Sequence, residues 1–382
     1  MGIFFENQLL SSKFIERHYV DPKNVSLSFP EKKRNLIVIF LESMEIAFAD
    51  EKSGGAFEKN PISELTRIAN ENEDFRGNSD TLNGAFVMPG GSWSIAALFS
   101  HTSALPLKVS IGRNDMYTQE SFFKGVTALG DILKENGYRQ TFMLGADATF
   151  GGLGLYYKDH GNFDMYDYNE AKASGKIPKD YRVWWGFEDK RLIEFAKKRL
   201  AEIAAEKEPF HFSVFTCDTH FEDGYVCTKC PKDFGADQYS NVLSCSSRQI
   251  NEFLEWIKTQ SFYENTTVVI VGDHLTMDKD YCKDIDEGYE RKTYTAFINA
   301  AAAPQRTDKI TSYTTLDMFP TLLASLGVII EGDRLGLGTN LFSAESTLIE
   351  TYGYTMLKNE LAKKSELMER LGDIKETPKP KS

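Results

Sequence analysis

The chain alternates apolar, β-rich runs with stretches whose apolar positions recur at helical spacing. Two runs are nearly continuous: Asn35-Leu36-Ile37-Val38-Ile39-Phe40-Leu41 and Thr266-Thr267-Val268-Val269-Ile270-Val271-Gly272. Runs of this kind predict strands buried on both faces of a sheet. The pattern also predicts strands over 138–144, 210–216 and 293–298. Helices are expected near 61–72, 94–101, 125–136, 187–206 and 247–260, with a further start at Asp317-Met-Phe-Pro320 inside Ser312–Leu326. A Gly-rich polar stretch, 84–94, opens the second of these helices, and a loop with several Gly and Tyr precedes the long charged one. Strands alternating with helices predict an α/β fold with helices on both faces of the sheet. No internal repeat is visible, and the segment after Leu371, ending Lys-Glu-Thr-Pro-Lys-Pro-Lys-Ser, has the composition of a disordered tail.

Length adds one thing to this picture. The 382 residues suffice for two or three domains, or for one large α/β unit with a smaller appendage. A hydrophobic content of 41% and a charged content of 26% belong to a globular chain rather than a disordered one. The net charge of −12 argues against nucleic acid, whose phosphates demand a basic face. It leaves anionic substrates open, because a bound metal reverses the local field. No stretch reaches the roughly 20 apolar residues of a membrane-spanning helix, and no signal peptide is visible.

Chemistry concentrates where the strands end. Glu42 closes the first strand, Asp273-His274 closes the late one, and His220 follows the strand at 210–216 within Thr216-Cys-Asp-Thr-His220. Open α/β sheets place their sites at that carboxyl edge. Ser92-Trp93-Ser94 sits just after Gly90-Gly91 at a helix start, where backbone N–H groups favour an anion. Glu42, Asp273 and His274 offer a mixed oxygen and nitrogen donor set suited to Mn²⁺ or Zn²⁺. A serine on such a metal becomes a nucleophile near neutral pH, and His220 could protonate a leaving oxygen. Each feature also has a plainer explanation: a turn acid, a helix cap at Ser94 or Ser92, a surface histidine. Their combination is what points to a metal-dependent hydrolase or transferase.

The five cysteines are 217, 227, 230, 245 and 282. Cys227-Thr-Lys-Cys230 has zinc-ribbon spacing, but no second Cys-x-x-Cys or paired His completes it. A disulfide between Cys230 and Cys245 is expected outside the cytoplasm, with free thiols as the alternative.

These residues fall in segments that resemble the extracytoplasmic catalytic domain of phosphoglycerol transferases and lipoteichoic-acid synthases, members of the alkaline phosphatase/sulfatase superfamily. The matching segments are Phe29-Pro-Glu-Lys-Lys-Arg-Asn-Leu-Ile, Leu41-Glu42-Ser43, Pro89-Gly-Gly-Ser-Trp-Ser94-Ile-Ala, Leu129-Gly-Asp-Ile-Leu, Trp185-Gly-Phe, Asp218-Thr-His220, Gly272-Asp-His-Leu275 and Leu316-Asp-Met-Phe-Pro-Thr-Leu-Leu323. They run from about Tyr19 to Tyr354, and the glucan-modifying branch is the most similar. The resemblance implies a central, mostly parallel β-sheet sandwiched by helices, with a smaller C-terminal subdomain. It divides the chain into an N-terminal juxtamembrane extension (1–28), a catalytic domain (29–300) with its C-terminal part (301–371), and the tail (372–382).

The same resemblance implies Glu42, Asp273 and His274 as metal ligands and Ser94 as nucleophile and further ligand, where relatives usually carry threonine. It implies His220 as the histidine that contacts the substrate phosphate. Mn²⁺ is the expected ion, with Zn²⁺ or Mg²⁺ as alternatives. The implied donor is phosphatidylglycerol, the acceptor a cell-envelope glycan, and the location the outer side of a bacterial membrane, anchored by a transmembrane region absent from this chain. Relatives often carry an arginine near the position of Leu153, and here that position is apolar. Ser92, Trp93, Lys158 and Arg182 remain as further substrate contacts, while His101 and His160 read as structural. The sulfatase branch fits less well, since Ser94-Ile-Ala-Ala-Leu lacks its proline and arginine. Phosphoethanolamine transfer, phosphodiester hydrolysis or non-catalytic lipid or glycan binding are the alternatives.

Overall fold

The computed structural model describes residues 10–375, so residues 376–382 of the expected tail lie outside the described residues. The central sheet has six strands: β1 (Asn35–Leu41), β2 (Arg139–Leu144), β3 (Asp164–Tyr166), β4 (Phe210–Phe215), β5 (Thr266–Gly272) and β6 (Thr295–Ile298). Their order across the sheet is β3-β2-β4-β1-β5-β6, parallel except for β6, which runs antiparallel to β5. β1 and β5 keep the bounds their apolar runs predict, and every residue of both is buried.

Alternate side chains of β1 explain the layering. Leu36, Val38 and Phe40 enter one apolar cluster, and Ile37, Ile39 and Leu41 enter another on the opposite face. The first cluster is covered by α2 (Ser94–Ser103), α3 (Leu129–Glu135), α4 (Leu153–Asp159) and α7 (Met318–Ser325). The second is covered by α1 (Ser63–Glu71), α5 (Asp189–Ala204) and α6 (Gln238–Lys258). This is the helix-flanked α/β sheet expected from the sequence.

Several elements differ from their expected bounds. α6 begins nine residues before the expected 247, capped by the Asp237 carboxylate accepting the Ser240 N–H at 3.0 Å. Its first turns carry serines 240, 244, 246 and 247, which read as polar but are all buried. α4 and β3 lie in the Gly- and Tyr-containing region expected to be a loop, and α4 starts from Gly152 in a left-handed conformation (φ 80°). The N-terminal and C-terminal parts of the described chain close on each other. Leu27–Ser28 pairs antiparallel with Ile329–Ile330, and the Ser12 N–H donates to Lys364 O at 2.9 Å.

Candidate metal centre and nucleophile

Three neighbouring strands, β4, β1 and β5, end side by side. Register fixes what emerges from them. Leu41 pairs with Gly272, so Glu42 and Asp273 leave the sheet together. Gly272 is required by a close approach, since a Cβ there would stand 1.9 Å from Met44 O. β4 pairs Phe215 with Phe40, and Thr216 continues beside the β1 end with its N–H on Phe40 O at 3.0 Å.

Glu42, Asp273 and His274 are buried and bring one donor atom each within 4.8 Å of the others. His274 Nε2 lies 3.4 Å from Glu42 Oε1 and 3.4 Å from Asp273 Oδ2. Asp273 Oδ1 accepts N–H groups from Ser43 (2.8 Å) and His274 (2.6 Å), while the buried Oδ2 has no hydrogen-bond partner. His274 Nδ1 donates to Leu275 O at 2.8 Å, which leaves Nε2 as the lone-pair atom facing the carboxylates. Ser43 adopts a left-handed φ of 55°, a strained conformation for a non-glycine residue, and hydrogen-bonds Glu42 Oε1 at 2.7 Å. Burial and then the Glu42 charge push the Asp273 carboxyl up to about 8, and the two carboxylates raise His274 against the effect of its burial. Two buried acids, an orphaned carboxylate oxygen and an imidazole lone pair fit a divalent cation.

The structure brings Ser94, rather than Ser92, to this cluster. Ser94 Oγ donates to Glu42 Oε2 at 3.0 Å and lies 3.5 Å from His274 Nε2, at the first position of α2. Ser92 is exposed and forms no hydrogen bond to the cluster among the described residues. His220 is held nearby by its chain neighbours. The Thr219 hydroxyl donates to Glu42 O at 2.6 Å, and Tyr239 donates to Thr219 O at 2.8 Å. His220 Nδ1 donates to Phe221 O at 2.7 Å, leaving Nε2 available, and Trp185 stands edge-on to the ring at 4.9 Å.

The remaining expected contacts divide. Trp93 carries the guanidinium of Arg113 over its ring at 4.4 Å. Arg182 is exposed just before Val183–Gly186, a turn closed by reciprocal backbone hydrogen bonds of 2.9 Å that displays Trp185. Lys158 is exposed in the last turn of α4, which runs back toward the amino edge of the sheet, so it is not brought to the cluster. Leu153 is buried in the apolar core and does not line the site. His101 donates from Nδ1 to Ala97 O, and His160 bonds Asp131 and Phe122 O through its two nitrogens, each at 2.7–2.8 Å. Cys230 and Cys245 do come together, but Cys227 joins them and all five cysteines are free thiols, so the expected bridge is not formed.

Sequence reasoning missed four contributors. Arg113 is an exposed cation next to the nucleophile's neighbour and has no ion-pair partner among the described residues. Asp189, at the start of α5, accepts the N–H groups of Cys217 (2.8 Å) and Asp218 (2.9 Å), which fixes the strand end leading to His220. The buried Glu45 pairs with the partly exposed Arg291, with Nε on Oε2 at 2.8 Å, and Glu45 also accepts the Thr276 N–H beyond His274 at 2.7 Å. Only Glu45, three residues past Glu42, carried a local signal, as a second acid at the end of β1.

Comparison with known proteins bears on the family and the fold. The family model described as Sulfatase matches residues 34–328. Phosphoglycerol transferase I of Salmonella choleraesuis (strain SC-B67) is 31% identical over 330 residues, covering 85% of this chain and 41% of that protein. The chain thus spans about two fifths of the length of that curated relative. Among solved structures, a protein in the alkaline phosphatase superfamily from Vibrio parahaemolyticus superposes with a TM-score of 0.64 at 20% identity, covering 86% of this chain and 76% of that one. The lipoteichoic acid synthase LtaP from Listeria monocytogenes gives 0.63 at 19% identity, covering 87% and 82%. These two similarities concern the fold.

Proposed function

The chain belongs to the Sulfatase family, and on that premise we propose that it is a metal-dependent phosphoglycerol transferase with Ser94 as its nucleophile. The observation that carries this reading is the Ser94 hydroxyl, 3.0 Å from Glu42 Oε2 and 3.5 Å from His274 Nε2, at the N-terminus of a ten-residue helix. The curated relative named phosphoglycerol transferase I supports the choice of transferred group.

Glu42, Asp273 and His274 would hold the cation, with Mn²⁺ as the proposed ion and Zn²⁺ or Mg²⁺ as alternatives. When bound, it would favour the ionised serine and neutralise charge on the phosphoryl oxygens. Ser94 Oγ attacks the phosphorus of phosphatidylglycerol, the bond to the diacylglycerol oxygen breaks, and that oxygen takes up a proton. His220 Nε2 supplies or accepts protons at the leaving and entering oxygens. A hydroxyl of a cell-envelope glycan then forms the new P–O bond, the bond to Oγ breaks and Ser94 regains its proton. The first N–H groups of α2 favour the phosphate charge, and Arg113 lies where a headgroup phosphate could meet it. Trp93 beside Ser94 and Trp185 against His220 flank the approach, and Arg182 is proposed as a further substrate contact. The proposed setting is the extracytoplasmic face of a bacterial membrane. Within the described residues no helix is long and apolar enough to cross one.

The test is fluorescent phosphatidylglycerol offered to metal-analysed protein, with and without EDTA. Chelator-sensitive release of diacylglycerol is expected. Turnover of phosphatidylethanolamine instead would move the donor and keep the site, and bound metal with no turnover of either lipid would overturn the transferase reading.

A further inference from the structure

A second donor cluster lies on the chain that leaves the site. After His220 the loop runs to Cys227-Thr-Lys-Cys230, and Cys245 faces it from α6. The three sulfurs all lie within 4.8 Å of one another, Cys227 Sγ being 3.6 Å from Cys245 Sγ and 3.8 Å from Cys230 Sγ. The Cys230 N–H donates to Cys227 O at 3.1 Å, closing a turn that brings both sulfurs to one side.

Each sulfur is also met by an N–H donor. Lys229 N–H points to Cys227 Sγ at 3.4 Å, Cys227 N–H to Cys230 Sγ at 3.2 Å, and the Gln249 amide to Cys245 Sγ at 3.3 Å. Thiols need few such donors, being weak acceptors. Thiolates need them, because buried negative charge is costly unless hydrogen-bonded or coordinated. The spacing agrees: a tetrahedral centre with Zn–S bonds of about 2.3 Å sets its sulfurs roughly 3.8 Å apart, whereas a disulfide requires about 2.05 Å.

We propose that Cys227, Cys230 and Cys245 bind a soft divalent cation of the zinc class, with the fourth position open to a solvent oxygen on the side of the half-buried Cys230. Binding releases the three thiol protons to solvent and involves no redox change. The ion pins the loop from His220 to Cys230 onto α6. It is chemically distinct from the Glu42–Asp273–His274 set, whose donors are oxygen and nitrogen.

The experiment uses the whole 382-residue chain carrying Glu42→Gln and Asp273→Asn, which removes the other donor set. It is loaded with Zn²⁺, desalted and assayed for metal, and a second sample is loaded with Co²⁺ for absorption spectroscopy. The expected results are one zinc retained per chain, thiolate-to-cobalt charge-transfer bands in the near ultraviolet, and five titratable thiols after denaturation in EDTA. Cys227→Ser and Cys245→Ser should each abolish retention. Two fewer titratable thiols would reveal a disulfide, and retention of neither ion would show no site; each result overturns the proposal. The cobalt spectrum needs no cysteine substitution, so the test survives a misfolded serine variant.

Discussion

The strand-end site and the thiol cluster are both groups of three convergent donors, yet they are built in opposite ways. Glu42, Asp273 and His274 leave adjacent buried strands, and their spacing follows from the pairing of Leu41 with Gly272. The three cysteines come from a loop turn and a helix, and nothing in the sheet fixes their spacing. The first set is rigid because its backbone is part of the core. The second is ordered by its own N–H···S contacts and by whatever binds it. Donor chemistry diverges as well, with hard oxygens and imidazole on the sheet and soft sulfur on the loop. A sheet edge thus serves reactions that need fixed geometry, and a loop clip serves to hold a neighbouring segment.

The sharpest way to break this contrast is at the nucleophile. Ser94→Ala should lower diacylglycerol release by about 10⁴-fold or more, the scale seen when a covalent nucleophile is removed. Ser92→Ala should stay within about twofold under the same assay, and the reverse ranking would move the nucleophile.

Rigidity beneath the site is tested next. Arg291→Ala leaves Glu45 buried without its cation, and breaking a buried pair in this way costs about 3–5 kcal/mol. Because Arg291 keeps part of its surface, the lower end is expected, read as a reduced urea midpoint. Retention of the wild-type midpoint would show that the pair is not needed to hold the strand end.

Acid offers a gentler probe of the same sheet. His211 on β4 is buried between Gln140 and Ser213, and burial holds its pKa down to about 3. Its neutral form favours the folded state, so its contribution is complete above the unfolded value near 6.5. That contribution is lost as pH falls toward 3, by at most about 1.4 kcal/mol per pH unit. His211→Gln should flatten the decline in stability measured by denaturation between pH 6 and 4. An unchanged slope would assign acid lability elsewhere.

The smallest expected effect is at the rim. Arg113→Ala should reduce kcat/KM for phosphatidylglycerol by about tenfold, the loss of one charge-assisted contact, while leaving thermal stability unchanged because the side chain is exposed. Lys158→Ala should change neither.

Legibility followed the same division. β1 and β5 kept their expected bounds because uninterrupted apolar runs have only one way to lie inside a sheet. Glu42, Asp273 and His274 converged because each directly ends such a strand. What the chain concealed was tertiary. Buried serines disguised the first turns of α6, and glycines disguised α4. Arg113 has no motif of its own and matters only because its loop folds over Trp93. The apolar residue at 153, where relatives often carry an arginine, belongs to the core. Cys-x-x-Cys spacing was visible, while its third sulfur lay fifteen residues on, inside a helix expected to begin only at 247.

The most direct measurement is peptide mapping by mass spectrometry after the protein has been incubated with phosphatidylglycerol and metal, without an acceptor, and quenched in acid. A glycerophosphoryl group on the Ser94 hydroxyl, absent with EDTA and absent in Ser94→Ala, is the expected result. Diacylglycerol release with the adduct on Ser92, or with no adduct on any residue across early time points, would contradict Ser94 as the covalent nucleophile at the Glu42–Asp273–His274 centre.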